Sequence, residues 1–229
     1  MMKIGIVTTH HCSEKFSSEG NKFTNRLIDS LKFINYDYVM YLYDNQSTVP
    51  FVENNKINNQ IKYKYIEDQS KRGITGTWND GFYDAYTDNC DVIFQINYDV
   101  VLNDDINLLI KTISELPEKN NVIFGPVTNG VLCGPQLYQK KSDRLIWSDD
   151  AIPLNGFMFG MTKSVYNKYK FSEKYFFEEG DNYKWSGQED RDFIRCKKQG
   201  CKFLIVSTTW FFHQKLRGWK HTQNFYKTN

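Results

Sequence analysis

The first half of the chain alternates short apolar segments with longer amphipathic ones. The short segments are rich in Ile, Val, Phe and Tyr, which predicts buried strands, and the longer ones carry apolar residues at helical spacing. Strands are predicted at residues 4–9, 38–43, 61–66, 91–96 and 122–124, and helices at residues 25–34, 73–86 and 106–116. Strands that alternate with helices predict an α/β fold with a mostly parallel sheet and helices on both faces.

The second half of the chain is less regular. Strands are predicted at residues 155–161 and 203–212, helices at 164–169 and 188–198, and an extended loop region at 125–150. Gly200 is the candidate C-cap of the second helix, and residues 171–186 are aromatic and acidic without a clear period. No repeat, linker or low-complexity tract divides the 229 residues, so a single domain, residues 1–229, is predicted.

Composition and charge narrow the range of functions. The chain is 24% charged with a net charge of +2 and no basic block, which gives no support to a nucleic-acid or membrane-surface partner. The five cysteines form no CxxC pair, which favours free thiols in a reducing compartment over a zinc site or disulfides. The first apolar stretch is too short for a signal peptide or a membrane span. A soluble, cytoplasmic protein with no transmembrane segment is therefore expected.

Polar side chains follow two of the predicted strands, where open α/β sheets bind their ligands. Asp44 begins an Asp-Asn-Gln-Ser cluster, and its carboxylate fits a ring N–H of a nucleobase, while the same residues also fit a simple turn. Asn97 and Asp99 flank Tyr98 after the strand at 91–96, and the alternation of an extended segment places both on one side. Their oxygens suit a divalent cation shared with a diphosphate, and a plain strand end is the alternative.

Acidic, aromatic and imidazole side chains are the candidates in the second half. Glu189 and Asp190 begin the last predicted helix, where the helix dipole favours acidic residues and where a general base for an acceptor hydroxyl would also fit. Trp185 and Gly187 precede them and would give a sugar an aromatic platform and a flexible approach. His213 ends the last predicted strand and becomes a metal ligand only if Asp99 lies nearby.

Basic side chains are candidates for contact with an anionic ligand. Arg72 precedes a Gly-punctuated helix start, and Lys215 and Arg217 follow the last predicted strand. His10 and His11, near the end of the first strand, are less specific and fit exposed loop positions.

Taken in order, these segments resemble the GT-A class of nucleotide-sugar glycosyltransferases, in particular the family 2-like inverting enzymes. The matching segments are IGIVTT, YLYDNQS, IEDQSKRGITGTWNDGF, FQINYDVVLND, NGFMFGMTKSVY, KWSGQEDRDFIRCKKQG and WFFHQ. WSGQED is also similar to the W-x-G-x-E-D segment of the β-1,4-galactosyltransferase type. The resemblance implies a Rossmann-like nucleotide-binding sheet, with a donor half at about 1–124 and a smaller acceptor and catalytic half at about 125–229.

The resemblance also implies roles for individual residues. Those along the nucleotide-sugar donor would be Thr8, Thr9, Asp44, Arg72, Trp78, Asn79, Asn97, Tyr98, Lys215 and Arg217. Asn97, Tyr98 and Asp99 occupy the DxD position of the family, with Asn in place of the first Asp, and Asp99 and His213 would hold Mn²⁺ or Mg²⁺. Asp190 would be the general base, Glu189 would hold a hydroxyl, and Trp185 and Gly187 would line the acceptor site.

The resulting hypothesis is a metal-dependent, inverting transfer of a sugar from a nucleotide-diphosphate donor to a hydroxyl of a glycan or glycoconjugate, with UDP as the first choice of nucleotide. Two alternatives stay open. A nucleotidyltransferase usually has a Gly-rich basic loop after its first strand, whereas THHCSEKFSSEG has one lysine and no clustered glycine. A non-catalytic carbohydrate- or nucleotide-sugar-binding domain would fit the Asn at position 97.

Overall fold

The computed structural model describes residues 2–12, 19–51, 57–67, 72–129, 136, 141–179 and 188–214. The strands are β1 (Lys3–His10), β2 (Asp37–Asn45), β3 (Ile61–Ile66), β4 (Val92–Ile96), β5 (Val100–Val101), β6 (Val122–Thr128), β7 (Leu145–Trp147), β8 (Met158–Thr162) and β9 (Lys202–His213). The helices are α1 (Gly20–Ser30), α2 (Gly73–Thr87), α3 (Asp105–Glu115), α4 (Lys163–Tyr169) and α5 (Gln188–Lys198), with short 3₁₀ turns at Leu31–Phe33 and Lys119–Asn121.

The strands form one nine-stranded sheet in the order β3-β2-β1-β4-β8-β6-β9-β5, with β7 also paired to β9. Strands β1, β2, β3, β4, β6 and β9 run in one direction, and β5, β7 and β8 run in the other. The mostly parallel α/β sheet predicted from the sequence is therefore confirmed. The carboxyl ends of β1, β2, β4, β6 and β9 meet at one edge of the sheet, where ligands of such folds bind.

Both faces of the sheet are covered by helices. On one face, Leu27 of α1, Leu31 of the following 3₁₀ turn and Ile110 of α3 pack in a cluster that includes Ile6 and Phe94 of the central strands. Helices α2, α4 and α5 cover the other face in a second cluster, which is rich in aromatic side chains. A strand that is buried on both faces has little polar surface of its own, which explains why β1 and β4 were visible in the sequence as continuous apolar segments.

Strand β9 changes register along its length. Its first half pairs with β6 up to Val206, which lies opposite Pro126, and the next pair of residues joins Val127 to Trp210. Three residues of β9 therefore stand opposite a single step of β6, which is a bulge. Beyond the bulge β9 pairs with β5, which brings His213 opposite Val100.

Most predicted elements lie within a few residues of their observed bounds. Helix α1 begins at Gly20 rather than at residue 25, and β6 continues to Thr128, beyond the predicted end at residue 124. Strand β5 has only two residues and was not predicted, because so short a segment has no measurable period. The region 125–150, predicted to be an extended loop, contains the end of β6 and the short strand β7.

Candidate active site

A carboxylate and an imidazole from distant parts of the chain meet at the carboxyl edge of the sheet. Asp99 lies between β4 and β5, and its Oδ1 is 3.2 Å from Nε2 of His213 at the end of β9. The two atoms are not in hydrogen-bond geometry, and Oδ1 is buried without a hydrogen-bond partner among the described residues. The structure thus brings together the two residues predicted to share a metal.

The backbone on both sides of His213 is fixed. On one flank, the amide of Gln214 donates to the carbonyl of Asp99 (2.7 Å). On the other flank, the His213 amide donates to Oδ1 of Asn129 (2.6 Å), and Nδ2 of Asn129 donates to the His213 carbonyl (3.0 Å). The hydroxyl of Thr128 lies 3.0 Å from Oδ1 of Asn129 and orients that amide further. His213 is therefore held in place before any ligand binds.

Glu189, in the acidic first turn of α5, lies close to Gly156, which precedes β8. A Cβ atom built on Gly156 would lie 2.9 Å from Oε1 of Glu189 and 3.2 Å from Cη2 of Trp78. Any larger residue at position 156 would therefore displace the carboxylate of Glu189. Asp190 follows on the helix, half-buried, and burial raises the pKa of its carboxyl. A carboxylate with a raised pKa is better matched to general-base chemistry near neutral pH.

Asn97, the first residue of the predicted DxD-like motif, is held at the end of β4 by hydrogen bonds. Its side-chain Oδ1 accepts a hydrogen bond from Nε2 of Gln95 (2.8 Å), and its backbone amide donates to the carbonyl of Phe157 (2.9 Å). Tyr98 is half-buried beside the ring of His10, with ring centroids 6.0 Å apart. Asn97 therefore links the end of β4 to the segment that precedes β8.

Asp44 is fully engaged inside the protein. Its carboxylate accepts hydrogen bonds from the amides of Ser47 (3.3 Å) and Phe51 (2.7 Å) and from the hydroxyl of Tyr63 (3.0 Å), and the residue is 0% exposed. These contacts are those of the turn that the sequence also allowed. Its nucleobase contact stays a prediction.

His10 is not the exposed loop residue that the sequence favoured. The residue is 0% exposed, its Nδ1 lies 2.7 Å from Oγ1 of Thr24, and its Nε2 has no hydrogen-bond partner among the described residues. Burial lowers the pKa of His10 to about 4, so the ring is neutral at pH 7. The sequence misled here because β1 extends to His10 and turns this side chain toward α1.

Arg72 and Asn79, predicted to lie along the nucleotide, contact protein groups. The Arg72 guanidinium donates to the carboxylates of Glu179 (2.7 and 2.8 Å) and Asp80 (3.0 Å each). Asn79 is buried and its side chain exchanges two hydrogen bonds of 2.8 Å with the backbone of Phe177. Nucleotide contact by these two residues stays a prediction, and their contacts favour another role that is developed below.

Besides Nε2 of His10 and Oδ1 of Asp99, five buried polar atoms of β1, β4 and α2 lack hydrogen-bond partners among the described residues. They belong to Thr8, Thr9, Gln95, Thr77 and Trp78. Buried polar atoms are nearly always satisfied by protein, ordered water or ligand, because each unsatisfied one costs about 1–3 kcal/mol. Three of these residues, Thr8, Thr9 and Trp78, were predicted to line the donor.

Among the comparisons with known proteins, only the comparison of structures gave matches. No protein-family model and no curated protein matches the sequence. S. aureus TarS 1–349 in complex with UDP-GlcNAc matches with a TM-score of 0.68 and 14% identity, over 97% of this chain and 61% of that chain. TarS 1–349 in another crystal structure matches at 0.65 and 13%, over 93% and 60%, and TarS itself at 0.66 and 14%, over 93% and 37%. TarS is a GT-A-type glycosyltransferase.

The chain has the GT-A fold. It spans about three fifths of the length of the TarS 1–349 fragment. In the GT-A fold described here, Asp99, His213, Glu189 and the unpartnered polar atoms all lie toward the carboxyl edge of the sheet or the adjoining start of α5.

Several predicted positions lie outside the described residues: Trp185, Gly187, Lys215 and Arg217. Among the described residues, no group of three or more His, Cys, Asp or Glu side chains is placed to hold a metal ion. No helix in the described ranges is long and apolar enough to cross a membrane.

Three residues that shape this candidate site were not predicted from the sequence: Asn129, Gly156 and Gln95. Asn129 directly follows β6, but the predicted strand ended at residue 124, so the search for polar residues after strands did not reach it. Gly156 lies inside the predicted strand at 155–161 but precedes β8 in the structure, and Gln95 is the one polar side chain inside β4. A buried amide in an otherwise apolar strand is a usable indication of a site.

Proposed function

We propose that this protein is a glycosyltransferase that transfers a sugar from a nucleotide-diphosphate donor, with UDP as the nucleotide, to a hydroxyl of a glycan or glycoconjugate. The observation that carries the proposal is the convergence of Asp99 and His213, which lie 3.2 Å apart at the carboxyl edge of a GT-A fold. The solved TarS complexes with UDP-GlcNAc and with UDP support the choice of nucleotide.

The donor side has the chemistry that a nucleotide-sugar requires. The unpartnered groups of Thr8, Thr9, Thr77, Gln95 and Trp78 include hydroxyls, an amide oxygen and an indole N–H, which can bind ribose or sugar hydroxyls. These groups are uncharged, so they would contact the donor without any change of protonation state.

A divalent cation fits the pair formed by Asp99 and His213. A cation shared with a diphosphate needs only one or two protein ligands, and a carboxylate with an imidazole suits Mn²⁺. The unpartnered, buried Oδ1 of Asp99 is an atom that such an ion would satisfy. When bound, Mn²⁺ or Mg²⁺ would neutralise charge on the departing diphosphate.

Asp190 is proposed as the general base. Its carboxylate would take the proton of the acceptor hydroxyl while the acceptor oxygen forms the new bond to the anomeric carbon and the bond to the diphosphate breaks. Attack on the face opposite the leaving group gives inversion in one step. Glu189, whose carboxylate lies close to Gly156, would orient a hydroxyl of the donor or the acceptor.

The proposal is tested by calorimetric titration of the purified protein with UDP, dTDP and GDP, with and without Mn²⁺, followed by hydrolysis assays with UDP-GlcNAc and other UDP-sugars. We expect UDP to bind more tightly with Mn²⁺ and Asp99→Ala to remove that difference. As a control for a change of charge elsewhere, Asp37→Ala alters an exposed residue at the opposite end of the sheet.

Two results would overturn the proposal. Failure of all three nucleotides to bind would remove the donor site, and binding of UDP-sugars without any turnover would favour a non-catalytic binding domain. Release of pyrophosphate from a nucleoside triphosphate would favour a nucleotidyltransferase.

A further inference from the structure

Residues 176–179 lie between α2 and α5, and we call this segment the brace. Phe176 and Phe177 are fully buried in the aromatic cluster beneath the two helices. The backbone of the brace makes hydrogen bonds to side chains of α2 and of α5. The carbonyl of Glu178 accepts from the hydroxyl of Thr75 (3.2 Å).

The side of the brace that faces α2 is held by Arg72 and Asn79. The Arg72 guanidinium is paired with two carboxylates at once, those of Glu179 and Asp80, and it also donates to the carbonyl of Gly76 (3.0 Å). The ring of Tyr175 lies 5.6 Å from the centre of the guanidinium. Two neighbouring carboxylates outweigh the single positive charge of Arg72, so a diphosphate has no electrostatic reason to bind there.

The side of the brace that faces α5 is held by Asp192 and Arg195. The amide of Glu178 donates to Oδ2 of Asp192 (3.0 Å), and Oδ1 of the same carboxylate accepts from Nε of Arg195 (3.0 Å). Arg195 in turn donates to the carbonyl of Phe176 (2.8 Å). Asp192 is 2% exposed and lies two residues after Asp190 on the same helix.

We propose that Arg72 and Asn79 are positioning residues that act through the brace to fix the start of α5, and with it Asp190, against the sheet. The inference rests on the proposed function for the role of Asp190, and on the described contacts for the brace itself. It replaces nucleotide contact as the role of Arg72 and Asn79. A loosely held base loses rate because small displacements from the reactive geometry are costly.

The experiment compares Arg72→Met, Glu179→Gln and the exposed control Arg144→Met with the wild type. Hydrogen exchange measured by mass spectrometry reports on the brace directly, because Asn79 and Asp192 hold the amides of Phe177 and Glu178. We expect peptides that cover the brace and α5 to exchange about tenfold faster in Arg72→Met, with a smaller change in Glu179→Gln and none in Arg144→Met.

Donor titration and turnover separate this role from nucleotide contact. We expect the Kd for UDP to change by less than about twofold in Arg72→Met, while kcat for UDP-sugar hydrolysis falls on the order of 10- to 100-fold. The double variant Arg72→Met/Glu179→Gln should be no worse than Arg72→Met alone, since both changes break one pair.

Three results would overturn the inference. A large loss of UDP affinity in Arg72→Met would return Arg72 to the nucleotide, and additive losses in the double variant would separate Arg72 from Glu179. Unchanged exchange in the brace and α5 would remove the positioning role, whether or not the wild type binds UDP. If Arg72→Met does not fold, Glu179→Gln, which removes the charge and keeps only one of the two acceptor oxygens that face Arg72, carries the same measurements.

Discussion

The side-chain amide of Asn129 makes hydrogen bonds to both backbone groups of His213: Oδ1 accepts from the His213 N–H at 2.6 Å, and Nδ2 donates to the His213 carbonyl at 3.0 Å. An amide side chain here takes the place of another strand beside the end of β9. The backbone to which the His213 imidazole is attached is thereby fixed on one flank by Asn129 and on the other by the pairing with β5. Asn129, which the sequence did not single out, thus helps to hold His213 beside Asp99.

Replacement of Asn129 by Ala should free the end of β9 without removing any proposed ligand. We expect Mn²⁺-dependent UDP affinity to fall about tenfold, with a loss of stability of about 1–2 kcal/mol for two lost hydrogen bonds. Calorimetric titration and urea denaturation measure the two effects. Asn103→Ala is the matched control, because Asn103 donates to the β9 backbone at Trp210, away from His213. Equal effects of both variants on UDP affinity would contradict a specific role for Asn129.

A methyl group at position 156 should displace Glu189 more than it disturbs the fold. In Gly156→Ala the new Cβ would lie 2.9 Å from Oε1 of Glu189, the mobile end of a flexible side chain, so the carboxylate moves at small cost. We expect at least a tenfold loss of turnover with a melting temperature within a few degrees of the wild type. A control is Gly125→Ala, in which the new Cβ meets Gln136 and a backbone oxygen, so the fold should suffer instead. Normal turnover in Gly156→Ala would argue against a role for Glu189.

Asp190→Asn should remove the base and leave the donor site in place. We expect turnover to fall by two orders of magnitude or more, with UDP binding unchanged. Burial raises the pKa of Asp190, so the folded state disfavours its ionised form, and the stability from this group is present at low pH and lost as pH rises through the raised pKa. The neutral Asn variant should therefore be no less stable than the wild type at pH 7, as measured by thermal denaturation. In the wild type, activity should fall on the acid side with a midpoint above the usual aspartate pKa of about 3.9. Near-normal turnover in Asp190→Asn would disprove the assignment.

His10 should make the stability of the protein depend on pH. Its pKa is about 4 in the folded protein against 6.5 in the unfolded chain, so the stability it contributes is present above pH 6.5 and is lost as pH falls toward 4. Between pH 7 and 5 this loss amounts to about 2 kcal/mol. Urea denaturation at both pH values should show that His10→Gln removes most of the difference and that His11→Gln does not. An unchanged pH dependence in His10→Gln would show that other groups cause it.

The sequence predicted the positions of elements better than the contacts of their side chains. Strand β3 and helix α5 were located at their observed bounds because each has a clear period and flanking turn residues, and Gly200 has the positive φ of 89° expected after a helix. The carboxyl-edge positions of Asp99 and His213 followed from their places at the ends of predicted strands. Their approach to 3.2 Å depends on β9 pairing with β5, which no local pattern indicates.

The sequence could not predict which polar side chains form hydrogen bonds with other protein groups. Asp44 and Arg72 were candidates for a ligand because their residue types and neighbours fit one, yet both are satisfied by protein groups. The partner of Arg72, Glu179, is 107 residues away in a segment without a period, so nothing local marks it. Conversely, the unpartnered atoms of Thr77 and Gln95 can be recognised only after packing shows which groups are buried.

The bulge in β9 decides which residue of this strand faces Asp99. Before the bulge, the even-numbered residues Leu204 and Val206 face the cluster of α1 and α3. Beyond the bulge, the odd-numbered Phe211 faces that cluster, because the three extra residues reverse which side of the sheet odd-numbered side chains face. His213 shares the parity of Phe211, and Phe212 points the other way and is 45% exposed. Insertion of one residue into the bulge would place Phe212 opposite Asp99, and loss of one residue would place Gln214 there, so either change would turn the imidazole away. Strand β9 should therefore accept many single substitutions around the bulge while every one-residue insertion or deletion there inactivates the protein.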